Sequence, residues 1–187
     1  MTDSTDASSQ SLSLPQAAPS YSHRSRRLTA TLLPRLVPLV GVIGFLLATV
    51  VPFALHGTGD WDRRMLESAL LWIVGVQGRF LGSGHIFTPD RVAESIGWPK
   101  GNPFQFEVGL ASISYGTLGV LASGFGPNWW LAAIVAYSIF YLGAAAGHVR
   151  ELVLTGNRSP GNFGTVFVFD IAAPIFLIAL YVLYRTG

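Results

Sequence analysis

Two imidazoles and three carboxylates, His85, His148, Glu107, Glu151 and Asp170, lie in or beside otherwise apolar stretches of this 187-residue chain. Nitrogen and carboxylate donors of this kind suit iron, manganese or zinc, and an imidazole beside a carboxylate equally suits the uptake and release of a proton. His148 and Glu151 are three apart, which on a helix sets both side chains on one face. Arg79 and Gln105 lie in the same stretches and complete the candidate set. The spacing is His-x-x-Glu, the reverse of the Glu-x-x-His of helical carboxylate centres, and it occurs once rather than twice. Three uses stay open: a site for an ion, proton or small polar ligand; a metal centre drawn from His85, Glu107, His148, Glu151 and Asp170; and a purely structural polar network. In the last, Glu107 in the first turn of its helix and His148 in the last turn of its own suit the helix dipole without further role, and Arg79 pairs with Glu107 or Asp170.

Other chemistry is excluded or unsupported. The chain has no Cys, so it cannot supply a disulfide, a thiolate zinc site, an iron–sulfur cluster or a cysteine nucleophile. It carries no His-Glu-x-x-His, nucleophile elbow, kinase or phosphate-loop motif. The run Gly156-Asn157-Arg158-Ser159-Pro160-Gly161-Asn162-Phe163-Gly164 offers backbone for an anion at a helix start, but its composition is that of a plain turn. A net charge of +2 gives no footprint for nucleic acid.

The elements that position these residues follow from composition. Half the residues are hydrophobic and only 12 % are charged, about half the charged share of a soluble domain, so a soluble globule is excluded. Residues 1–31 are polar or basic and read as a disordered cytoplasmic tail; five stretches of spanning length follow, at 32–55, 65–87, 104–125, 128–154 and 165–184, giving one all-α integral membrane bundle. The first run is too long for a signal core, and its polar leader marks it as a retained helix. The second contains Glu67, Gln77, Arg79 and His85 with four glycines, and reads as a full span, two half-segments or a partly re-entrant segment. Gly126 and Pro127 force the third and fourth into an antiparallel hairpin.

Orientation follows the Lys and Arg residues of the connections. With the N-terminus cytoplasmic, eight fall inside and three outside, with Arg79 within a span. All seven candidate residues then lie toward the inner leaflet, contributed by four spans. In the connection 88–103, residues Asp90 to Trp98 form either an interfacial helix, capped by Thr88 or Asp90 with Val92, Ile96 and Trp98 on the bilayer, or an ordered polar loop. Gly78 and Gly82, Ser112 and Gly116, Ala132 and Ala136, and Gly143 and Gly147 have the spacing that lets helix backbones approach, first within the chain and second between copies. Trp61, Trp129, Trp130, Tyr181 and Tyr184 form an outer aromatic belt.

The combination His85…Pro89-Asp90, Ile96-Gly97-Trp98-Pro99, Pro103-Phe104-Gln105-Phe106-Glu107-Val108-Gly109, Gly147-His148 and Gly161-Asn162…Asp170 resembles a family of small, uncharacterised prokaryotic integral membrane proteins, over about residues 78–180. Size, helix count and a polar inner end are also similar to the DoxX-like four-helix proteins, a likeness that implies an accessory role in a membrane complex; the absence of Cys sets thiol chemistry apart from this chain. The expectation is a plasma-membrane protein that is a non-enzymatic accessory or small carrier-like component. The alternatives are a membrane redox or hydrolytic enzyme with a histidine–carboxylate metal centre, and a structural bundle. No cofactor is specified. The expected partners are the lipid bilayer and a membrane-complex subunit or a second copy of the chain.

Overall fold

In hydrocarbon every backbone N–H and C=O must be paired within its own segment, so long runs of Leu, Ile, Val, Phe, Ala and Gly become helices. The computed structural model describes residues 39–57 and 59–187, and it is all-helical among them. The helices are α1 (Leu39–His56), α2 (Trp61–Ala69), a π-helical segment (Leu70–Val76), α3 (Gln77–Phe87), α4 (Pro89–Ile96), α5 (Phe104–Leu121) with a 3₁₀ turn (Ala122–Gly124), α6 (Pro127–Thr155) and α7 (Thr165–Thr186). Phe104–Gly124, Pro127–Thr155 and Thr165–Thr186 are long and apolar enough to cross a membrane, and Leu39–Leu55 is a shorter apolar helix. Ile139, Val153, Val168 and Ile175 are exposed on their outer faces, the arrangement of a bundle solvated by lipid. The expected tail at 1–31 and the start of the first span, 32–38, lie outside the described residues.

The polar second stretch is not split into two half-segments. It is one continuous helix from Trp61 to Phe87, beginning four residues before the expected start, with a π segment at its centre. There the Gln77 amide donates to the carbonyl of Trp72, five residues back. Helix α1 crosses at this point because Gly41 and Gly44 lack side chains: a Cβ at either would strike Trp72. The Gly41 amide donates to Gln77 Oε1 at 2.8 Å.

Two helix pairs build the rest. Helix α3, with the π segment, meets α5 along Gly75, Gly78 and Gly82 against Gly109, Ser112, Gly116 and Gly119; a Cβ on Gly119 would sit 2.6 Å from Gly75 N, and one on Gly82 would sit 2.7 Å from Gly109 O. Two of the four small-residue pairs, Gly78/Gly82 and Ser112/Gly116, therefore serve packing within the chain. Gly143 and Gly147 face open space. Helix α6 pairs with α7 through Trp130, Ala133, Ile134, Tyr137, Tyr141, Ala173 and Leu177, all buried. Trp129 and Trp130 also tie α6 to the end of α5, since their ring N–H groups donate to the carbonyls of Leu118 and Ala122, where α5 runs out of helical partners.

Of the two readings for 88–103, the helix forms, as α4. Pro89 occupies its first position, and Gly97 at φ 82° closes it, with Trp98 N donating to Ala93 O and Gly97 N to Glu94 O. Neither expected cap acts: Thr88 Oγ1 donates back to Gly84 O, and Asp90 Oδ1 accepts from Gly101 N. It packs on the protein through Ala93, which is fully buried, and Val92, which lies over Gly84, while Val92, Ile96 and Trp98 stay half-buried. The 156–164 connection lies against the end of α4: Asn157 Nδ2 donates to Ile96 O at 2.9 Å and Gly161 N to Ser95 O at 2.9 Å.

Candidate functional site

His148 is seven residues from the C-terminal end of α6, and Asp170 is in the second turn of α7. The 156–164 connection folds the two helices together so that His148 Nε2 faces Asp170 Oδ2 at 3.5 Å, with the side chains 11 % and 3 % exposed. Pro174 lies one turn beyond Asp170 inside α7 and has no N–H, so the Asp170 carbonyl lacks its usual helical donor.

The turn-rich connection has a specific task here. Asn162 is fully buried, and its amide donates through Nδ2 to the carbonyls of Asn157 at 3.0 Å and His148 at 3.3 Å. Those two bonds fix the amide so that Oδ1 points at His148 Nδ1, 2.8 Å away. An amide oxygen only accepts, so His148 Nδ1 must carry a proton. Nε2 is then the nitrogen left to face Asp170. With His148 neutral and Asp170 ionised, a lone pair would oppose a carboxylate; with one further proton, on either group, the contact becomes a hydrogen bond.

Above this pair, toward the bundle centre, lies a group of buried tyrosines. The Tyr115 hydroxyl is 2.9 Å from Ser112 Oγ and 3.1 Å from the Tyr141 hydroxyl. Having one proton, it donates in one contact and accepts in the other. The Tyr137 ring stacks at a tilt on Tyr141, with centroids 4.2 Å apart, and meets Tyr115 edge-on. Its hydroxyl lies beside that of Tyr141, and among the described residues no atom meets it with full hydrogen-bond geometry. Asp170 is within electrostatic reach of all three hydroxyls.

The other candidates are placed apart from this centre. His85 Nδ1 bonds Gln105 Oε1, a pair that joins α3 to α5. Glu107 is exposed in the first turn of α5. Glu151 accepts from Thr155 Oγ1 at 3.3 Å on its own helix. Arg79 is exposed with its Cγ over Gly116, about two turns above the level of Glu107, and forms an ion pair with neither Glu107 nor Asp170. Of the five expected metal ligands only His148 and Asp170 face each other, and among the described residues no group of three or more His, Cys, Asp or Glu is placed to hold a metal ion.

Sequence reasoning missed Asn162 as the group that orients His148, and the three tyrosines altogether. The tyrosines had a signal: Tyr137, Tyr141 and His148 are spaced four and seven apart, which sets all three on one face of α6.

Comparison with known proteins returns no match among curated proteins and none among solved structures. A family model matches residues 31–187, a wider region than the 78–180 that carried the resemblance and one that takes in the first helix; the chain belongs to this family of unknown function, DUF6790.

Proposed function

We propose that this chain is a multi-pass, non-enzymatic component of the cytoplasmic membrane in which His148 and Asp170 bind and release one proton at the inner end of the bundle. The observation that carries this reading is the proton inventory forced by Asn162. With Nδ1 already protonated, the contact between Nε2 and Asp170 is attractive only when a further proton lies between them. Burial favours the same outcome, because an unpaired carboxylate in hydrocarbon is costly and a shared proton removes that cost. The slight exposure of His148 gives the proton a way in.

The orientation rests on charge. Arg91, Lys100, Arg150 and Arg158 lie at the α4 end and Arg63, Arg64 and Arg185 at the other, a bias that supports the α4 end being inside. Because the chain has no Cys, a single cysteine at Lys100 or at Gly59 reports sidedness directly. An impermeant thiol reagent applied to whole cells should label Gly59→Cys and spare Lys100→Cys; the reverse pattern would invert the topology.

The proton site is tested by infrared difference spectroscopy of the full chain in lipid vesicles as pH is stepped. We expect a pH-dependent carboxyl band that is lost in Asp170→Asn and altered in His148→Ala, with Glu107→Gln unchanged. A spectrum in which Asp170→Asn matches the parent, with all variants folded, would reject the reading.

A further inference from the structure

The His148–Asp170 pair is the lower end of a longer polar track. On α6 the residues facing the core in order are His148, Ala145, Tyr141 and Tyr137, and Tyr141 is the midpoint of the 29-residue helix, so the track reaches the middle of that helix. Helix α5 adds Tyr115 and Ser112, and α7 adds Asp170. The π segment meets the same core with the apolar Ile73 and Val74. Arg150 is exposed and Glu151 is bonded to Thr155, so the titratable groups facing the track are His148, Asp170 and the three tyrosines. Beyond Tyr137 the polar side chains stop. Ala133, Ile134 and Trp130 of α6 and Leu177 and Leu180 of α7 are buried there.

Among the described residues two buried hydroxyls lack a hydrogen-bond partner, those of Tyr137 and Ser138, and the first is where the track is incomplete. Tyr137 has zero exposure, and a buried O–H without a partner costs about 1–3 kcal/mol, a cost normally removed by an internal water bonded to two or more polar groups. The Tyr141 hydroxyl lies beside it, and Asp170, buried on the facing helix α7, is the next polar group toward the inner end. We propose that a water molecule held by the Tyr137 hydroxyl links the tyrosine triad to Asp170, extending the proton site from the inner end of the bundle to the middle of α6. A proton moving along this chain needs no redox partner: each hydroxyl or water accepts one proton on its oxygen and passes on the one it held, so no group ends with a changed charge. The apolar layer above Tyr137 closes the path on the far side.

This inference rests on the proton reading of His148 and Asp170, and the test separates the two. Infrared spectra of the full chain in vesicles are compared in ordinary and oxygen-18 water, for the parent, Tyr137→Phe and Tyr141→Phe. The expected result is an internal-water O–H band that shifts with the isotope and is lost in Tyr137→Phe, together with a frequency shift of the Asp170 carboxyl band in that variant. Tyr141→Phe should shift the same band while the water stays. Loss of the water band with an unmoved Asp170 band would overturn the link, and an unchanged water band would overturn the site. Absence of any Asp170 band in the parent would fail the underlying reading alone, since the water band is scored independently. Phenylalanine keeps the ring, so folding should survive; a folded Tyr137→Phe of higher thermal stability and unaltered spectrum would mark a dry, merely tolerated hydroxyl.

Discussion

The two helix pairs of this bundle solve opposite problems. Between α3 and α5 the contact is backbone on backbone: glycines oppose glycines, and a Cβ on Gly119 would lie 2.6 Å from Gly75 N. Between α6 and α7 the contact is made by large side chains, Trp130, Tyr137, Tyr141 and Leu177, with the His148–Asp170 pair at one end. The first arrangement gains dispersion contacts over a short distance and has no room for a ligand or water. The second leaves hydroxyls and a carboxyl inside the membrane, which costs stability unless each finds a partner or a use. The comparison teaches that the glycine seam is the frame, while the tyrosine–histidine face carries the buried polar groups on which the proposed proton site rests.

Substitutions can break that division of labour. The largest effect is expected for Gly119→Ala, whose new methyl meets the backbone of Gly75 and Leu70, atoms that cannot step aside; a loss of about 1–3 kcal/mol should appear as a lower unfolding temperature in detergent. No loss would mean the two helices are held apart more than described. Next comes Asn162→Ala, which leaves the His148 ring unoriented and takes a donor from the carbonyls of Asn157 and His148. A cost of about 1–3 kcal/mol is expected, with a second effect that Gly119→Ala lacks: the histidine proton and nitrogen resonances of His148 should show both tautomers in place of one. A single unchanged tautomer would remove the basis of the proton inventory. The smallest effect belongs to Gly143→Ala on the open face of α6, expected to be neutral or stabilising by up to about 1 kcal/mol through helix propensity. A clear loss there, with a change in oligomeric mass, would show that a second copy covers this face.

Much of this was legible in the residues themselves, and for identifiable reasons. Charged and imidazole side chains inside apolar runs are conspicuous, so Asp170 and His148 stood out, and their helices follow from unbroken hydropathy. The turn expected at Gly126 and Pro127 was equally plain, although the connection takes residues 122–126 and Pro127 is already the first residue of α6. What escaped depends on distant partners. Glu107 and Arg79 had the same conspicuous chemistry as Asp170 but face outward, and helical spacing alone does not say which face meets a neighbour. Asn162 resembled any turn residue until the fold-back of α7 set it beside His148. Thr88 and Asp90 are good capping residues that found nearer or better partners in Gly84 O and Gly101 N.

The π segment at Leu70–Val76 carries a consequence for how the protein tolerates change. A turn of this kind takes up one residue more than an α turn, so the helix above it is rotated by about 100° relative to the phase it would otherwise hold with the helix below. Helix α2 thereby turns toward α1 and α7, while α3 presents Gly78 and Gly82 to α5. One rod serves two neighbourhoods that a uniform helix of the same sequence could not satisfy at once. Sequence length in this segment is therefore a phase setting, and removing a single residue between Leu70 and Val76 would turn the glycine seam away from its partner while leaving every side chain in it intact.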